Sequence, residues 1–137
     1  MAVTKQIRHY RPALEKAVGF SQAVVSGPFL MLSGICSCDE NANCIGKGDA
    51  RTQIRTIYKE IENILRDYGL TYAHVVRETV YTTNLSAVVE AADERLKFFK
   101  DDQVAPPAAT WVQVSRLFNE DFMLEVEITA ELPPVRG

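Results

Sequence analysis

The sequence predicts an α+β fold, one mixed β-sheet with two helices on one face, in a single domain over 1–137. Three observations carry this. The last apolar stretch alternates, with Leu124, Val126, Ile128, Ala130 and Leu132 on one side and Glu125, Glu127, Thr129 and Glu131 on the other. That period of two marks a strand with two different faces. Ile54, Ile57, Tyr58, Ile61, Ile64 and Leu65 recur at three- and four-residue steps, the mark of an amphipathic helix. Taken together the runs order themselves as β-β-α-β-α-β-β, which two helices over one sheet satisfy.

Each element has a local reason. Val24 to Ser37 holds two short β-runs around Ser26-Gly27-Pro28, a turn signal that predicts a hairpin. Residues 39–49, DENANCIGKGD, are rich in Asp, Asn and Gly and read as a loop. Asp49 is placed to cap the first long helix, and Gly69 to end it in the left-handed conformation. His74 to Thr83 is β-branched and reads as a strand. Ser86 to Lys100 reads as the second helix, with Leu85, Val88, Val89, Ala92, Leu96 and Phe99 on its apolar side and Arg95 in solvent. Val104-Ala105-Pro106-Pro107 stops it, because proline cannot continue a helix. Ala109 to Ser115 and Leu124 to Leu132 complete the sheet.

Composition narrows the function. The chain has 137 residues, 47 % hydrophobic and 24 % charged, with a net charge of −3. A domain of this size hides roughly two thirds of its unfolded surface and needs no disulfide or metal staple. A mildly acidic chain without a basic stripe is a poor partner for a phosphate backbone, so no nucleic acid is expected. No apolar run approaches the roughly 18 to 20 residues of a membrane span, and no apolar segment follows the basic start as in a secretory signal. A cytoplasmic protein with no membrane partner is expected. Three cysteines, Cys36, Cys38 and Cys44, fall within nine residues. An odd count reads as reduced thiols, with a soft-metal site completed by Asp39 or His9 and a redox sensor as the alternatives. Only two histidines, His9 and His74, are present and both are remote in sequence, so neither metal nor cofactor is expected.

Two helices cover one side of such a sheet. Trp111, Val75 or Val76, Met31 and Ile35 are then expected to share the open side with Glu125 and Glu127. A mixed apolar and acidic face suits a subunit interface containing a cleft.

The segments resemble the RidA/YjgF family of imine and enamine deaminases from Gly19 to Ala130. Gly19-Phe20-Ser21-Gln22-Ala23 is similar to the family's G-P-Y-S-Q-A, and Phe29-Leu30-Met31-Leu32-Ser33-Gly34 to its strand ending in Ser-Gly. Gln53 to Leu65 with Gly69, and Val75-Val76-Arg77-Glu78-Thr79-Val80-Tyr81 through Leu85, match in order. Pro107-Ala108-Ala109-Thr110-Trp111-Val112-Gln113-Val114 resembles P-A-R-S-x-V-x-V, and Leu124-Glu125-Val126-Glu127 the closing I-E-I-E strand. The resemblance implies a chorismate-mutase-like sandwich and a homotrimer with intersubunit clefts. In each cleft an arginine clamps a substrate carboxylate and a glutamate positions water for hydrolysis of C=N.

Carried over residue by residue, Glu125 is the catalytic candidate. Phe20, Ser33, Gly34, Ala109, Trp111 and Arg116 are the substrate-binding candidates. Phe20 replaces the cleft tyrosine and Ala92 falls where many deaminases carry asparagine. Ala109 stands at the arginine, and Trp111 where cysteine is common. Losing a desolvated carboxylate clamp costs several kcal/mol, so Arg77, Arg95 and Arg116 are the replacement candidates, with a structural ion pair as the alternative for Arg116 and a solvated side chain for Arg95. Phe20, Trp111 and the small Ala109 suggest a wider aromatic pocket suited to a conjugated, aminomuconate-type enamine. The two readings are a hydrolytic deaminase of a small metabolite and a non-catalytic, metabolite-binding or regulatory trimer.

Overall fold

The structure, a computed structural model, describes residues 4–101 and 103–134; residues 1–3, Asp102 and 135–137, which the single-domain expectation includes, lie outside the described residues. In chain order the elements are β1 (Gln6–Arg8), α1 (Pro12–Val18), β2 (Ala23–Ser26), β3 (Phe29–Cys36), α2 (Ala50–Asp67), β4 (Val75–Thr82), α3 (Leu85–Glu90), α4 (Ala92–Leu96), β5 (Ala108–Gln113) and β6 (Leu124–Glu131). Short 3-10 turns at Tyr72–His74 and Lys97–Phe99 complete the order.

The six strands form one sheet in the order β1-β2-β3-β6-β4-β5. β4 and β5 pair in parallel and every other neighbour pair is antiparallel, so the sheet is mixed, as the sequence predicts. The alternation along β6 places Leu124, Val126, Ile128 and Ala130 in the core with Leu30, Leu32 and Ile35 of β3. Ile54, Ile57, Ile61, Ile64 and Leu65 of α2 close over them. Burying each such side chain contributes about 1.5–3 kcal/mol, the main attraction between the layers. The predicted caps are present. The Asp49 carboxylate accepts from Thr52 N at 3.2 Å at the start of α2, and Gly69 follows the helix at φ 70°. Gly27 takes φ 57° in the β2–β3 turn.

The structure corrects four expectations. β1 and α1 precede the predicted hairpin; α1 has only seven residues, too few for a periodic signal. The second helix is three short pieces, α3, α4 and the 97–99 turn, with Val89 and Leu96 exposed. The break at Ala91, which caps both α3 and α4, accompanies an inward-turned Arg95. Its Nη2 lies 2.8 Å from Glu78 Oε1, so the solvated arginine of the sequence reading is buried. Finally, Trp111, Val75 and Ile35 belong to the helix side of the sheet, since the register aligns Trp111 with buried Val80, Val75 with Ala130 and Ile35 with Val126. Met31 aligns with Thr129 and lies on the open face with Glu125 and Glu127.

Candidate functional site

The open face carries Glu125, whose strand neighbours in register are Cys36 on β3 and Tyr81 on β4. Two residues along β6, Glu127 accepts the Tyr81 hydroxyl at 2.7 Å. Glu125 receives only the Cys36 thiol, Sγ to Oε1 at 3.0 Å, among the described residues. Burial first, and then the Glu125 carboxylate, push the Cys36 thiol far above its ordinary range. Cys36 is therefore a protonated donor to Glu125 and an inert nucleophile.

Glu125 opens into a cavity of about 270 Å³. Its walls are apolar, from Leu14, Val18, Phe20, Ile35, Phe118 and Phe122, and its polar end holds Glu125, Ser33, Gly34, Gln22 and Arg11. The β3–β6 register shifts between Leu32 and Ile35, and this bulge leaves Ser33 and Gly34 lining the cavity. Glycine is required at position 34 by contact. A Cβ there would lie 2.5 Å from Glu125 Cδ and 2.6 Å from Oε2, so the carboxylate lies directly against the Gly34 backbone.

Ser33 is fixed from behind. Its hydroxyl donates to Ser21 O at 2.7 Å and its N–H to Gln22 O at 2.9 Å. The Gln22 amide returns a bond to Ser33 O at 2.9 Å. Ser33 therefore shapes the bulge, with both of its donors committed within the chain. Phe20 enters the wall through the end of α1, where Gly19 adopts φ 94° and Phe20 N donates to Glu15 O. Fully buried Glu15 organises that corner: its carboxylate accepts from Tyr10 N, Arg11 N and Gln22 N at 2.6–2.8 Å and meets His9 Nδ1 at 2.8 Å. Burial alone would raise its pKa; the His9 contact and the three backbone N–H groups outweigh it and hold the carboxyl below the usual range.

Arg11 is the wall residue that the sequence reading missed. Its guanidinium donates to Glu60 Oε1 at 2.8 Å, Asp39 O at 3.1 Å and Cys38 O at 3.0 Å. It braces the loop against α2 and meets the cavity as a neutralised pair. Phe118 and Phe122 lie in the irregular segment before β6, where no pattern marks them as lining a site.

The structure thus brings Glu125, Phe20, Ser33 and Gly34 together within one chain. Ala109, Trp111 and Arg116 lie elsewhere. Ala109 is exposed on edge strand β5, opposite Glu78. Trp111 faces the helices, its ring centre 5.5 Å from Arg95 Cζ, and shares a crevice with Ala92. Arg116 is exposed, 3.8 Å from Glu120. Of the other arginines, Arg95 is taken by Glu78 and Arg77 donates to Thr110 Oγ1 at 2.6 Å. His9 supports Glu15, and His74 Nδ1 accepts from Thr71 N at 3.1 Å in a capping box. Among the described residues no three His, Cys, Asp or Glu side chains are grouped to hold a metal ion. Nor is any described helix long and apolar enough to cross a membrane.

This fold and cavity define a class: single-sheet α+β domains in which a strand kink at Ser-Gly sets a carboxylate in an apolar cavity. A family model described as Endoribonuclease L-PSP matches residues 10–132. A RutC family protein of Pyrococcus horikoshii is 31% identical over 116 residues, 84% of this chain and 89% of its own. One of Sulfurisphaera tokodaii is 32% identical over 114 residues, covering 82% and 88%. Among solved structures, a YjgF-family protein of Mycobacterium tuberculosis superposes with a TM-score of 0.78 at 27% identity, covering 94% of this chain and 100% of the other. A Rid-family protein of Yersinia pestis does so at 0.81 and 25%, with the same coverage. The chain belongs to the YjgF/RidA family.

Proposed function

We propose that this protein is a hydrolytic deaminase of a small enamine or imine, working in the intersubunit clefts of a homotrimer. The observation that carries the reading is Glu125: a carboxylate whose one hydrogen-bond partner among the described residues is a thiol, lying against Gly34 at the polar end of an apolar cavity. A carboxylate so placed can hold a water and take its proton as the oxygen attacks the C=N carbon. Glu125 passes that proton to the nitrogen to give the carbinolamine; the carboxylate then takes the hydroxyl proton and delivers it to the nitrogen as the C–N bond breaks, and ammonia leaves with a carbonyl compound behind. An enamine enters the same path once its carbon is protonated to give the imine.

The trimer is supported by the uncovered sheet face, where Ile7, Phe29, Met31 and Val112 are exposed beside the acidic residues. Exposed apolar groups on a two-faced sheet favour a second copy. Edge strand β5 of a neighbour and the segment after it would then bring the exposed Ala109 and Arg116 toward the cavity, while Trp111 stays packed against its own Arg95. The family model carries an endoribonuclease name, but a net charge of −3 and an apolar cavity favour a small molecule over an RNA strand. The flat walls from Phe20, Phe118 and Phe122 favour a conjugated enamine of the aminomuconate type.

The test is ammonia release from such an enamine and from iminopropionate, with molar mass measured alongside. The enamine is expected to turn over faster, and Glu125→Gln to lower turnover about 10²- to 10⁴-fold while keeping the oligomer. Unchanged turnover in that variant removes Glu125 from the chemistry. A second reading, a metabolite-binding trimer without turnover, is favoured by one observation: Arg11, the cavity's arginine among the described residues, is committed to Glu60. Saturable binding of the same enamine without ammonia release would establish it.

A further inference from the structure

Cys38 and Cys44 face each other across an isolated antiparallel bridge in the loop that follows β3. The flanking hydrogen bonds, Asp39 N to Asn43 O and Ile45 N to Ser37 O, both at 2.9 Å, make them a non-hydrogen-bonded pair. In that arrangement the Cα atoms are about 4.5 Å apart and the side chains leave the ladder on the same side. That separation falls inside the range of about 4.4–6.8 Å that a disulfide spans. The loop is already closed without a covalent bond. The Asp39 carboxylate accepts from Asn41 N and Asn43 N at 2.9 Å, and Ala42 N donates to Asp39 O at 3.1 Å. Both side chains are unbridged and half-exposed; Cys44 Sγ donates to Asp121 O at 3.4 Å and accepts from Gln53 Nε2 at 3.6 Å, contacts it gives up to meet Cys38, whereas Cys36 is buried and spent on Glu125.

We propose that Cys38 and Cys44 are a reversible disulfide pair, oxidised by a low-molecular-weight disulfide such as oxidised glutathione. One thiolate attacks the small disulfide, forming a mixed disulfide and releasing one reduced thiol. The facing thiolate then attacks the protein sulfur of that adduct, closing the Cys38–Cys44 bond and releasing the second reduced thiol. Two cysteine thiols are oxidised and one small disulfide is reduced; the protons lost by the cysteines leave on the two released thiols. The consequence is local. Cys38 and Ala42 line the cavity, and the carbonyls of Cys38 and Asp39 hold Arg11. Closing the bridge fixes that wall.

The test is exchange of the full chain with oxidised glutathione at mildly alkaline pH, where a larger thiolate fraction speeds attack. Remaining thiols are then alkylated and the intact mass is measured. The expected product is about two mass units lighter, alkylates once, and after cleavage at Glu40 retains a link between the fragments carrying Cys38 and Cys44. Dithiothreitol restores all three thiols. Cys36→Ser still closes the bridge, while Cys44→Ser stops at a single glutathione adduct on Cys38. A Cys36–Cys38 link, stable adducts on both cysteines, or three unreacted thiols while a reference dithiol is oxidised would each overturn the pairing.

Discussion

Glu78 on β4 and Glu125 on β6 lie on adjacent strands of one sheet, three register positions apart, yet the fold gives them opposite surroundings. Glu78 is 1 % exposed on the helix side. It takes two guanidinium nitrogens of Arg95 at 2.8 and 3.0 Å and the Tyr58 hydroxyl at 2.7 Å. The ring centres of Phe99 and Trp111 lie 4.6 and 5.5 Å from that guanidinium carbon. Glu125, on the open side, has a thiol and a cavity. A carboxylate with its acceptor sites filled is a structural part, and one with capacity left over toward an enclosed space is available for chemistry. The residue type does not separate them; the partners do.

The sharpest way to break this contrast is to remove the Glu78 partner. Arg95→Met leaves a buried, uncompensated carboxylate, and urea unfolding is expected to show a loss of about 3–5 kcal/mol. The double variant Glu78→Gln with Arg95→Met should regain a good part of that, because the charge then goes with its partner. A loss below about 1 kcal/mol would mean that Arg95 does not support Glu78.

At Glu125 the effects are expected in activity. Gly34→Ala puts a methyl group where the carboxylate lies and must displace it. A displacement on that scale lowers turnover by about 10²-fold, with about 1–3 kcal/mol of overpacking cost in stability. Turnover equal to the parent protein would show that the carboxylate position is not critical.

A third glutamate calibrates the comparison. The Glu15 carboxyl is depressed in the folded chain, so its contribution is present above the unfolded value of about 4.3 and is lost as pH falls through the folded value. Glu15→Gln is expected to cost about 1–2 kcal/mol at neutral pH and to flatten the decline of Tm below about pH 4.3. An acid limb parallel to that of the parent would assign the decline to other carboxylates.

What the sequence shows and hides follows from how far apart partners lie. The α2 stripe and the β6 alternation repeat locally, so both elements were readable almost to the residue, as were Asp49 and Gly69 at the helix ends. α1 depends on Glu15, whose acceptors serve Tyr10, Arg11 and Gln22 through a tertiary corner, and seven residues show no period. Arg95 looked solvated because its partner lies 17 residues away, on strand β4. In the candidate site, Phe20, Ser33, Gly34 and Glu125 were legible through the family resemblance. Arg11, Phe118 and Phe122 were not, since they reach the cavity through loops and a short helix. The committed state of Ser33 is a property of hydrogen bonds, which spacing does not display.

The strand order has a consequence for how the chain is made. β6, the last strand in sequence among the described residues, lies between β3 and β4 and is the single link between the β1-β2-β3 and β4-β5 halves of the sheet. Until residues 124–131 have been synthesised, both halves present an unpaired inner edge, the feature by which nascent strands capture one another. Completing the sheet is therefore a late, long-range event, and such pairings assemble more slowly than helix contacts. During that interval the inner edges of β3 and β4 are where the growing chain depends most on being kept apart from its neighbours.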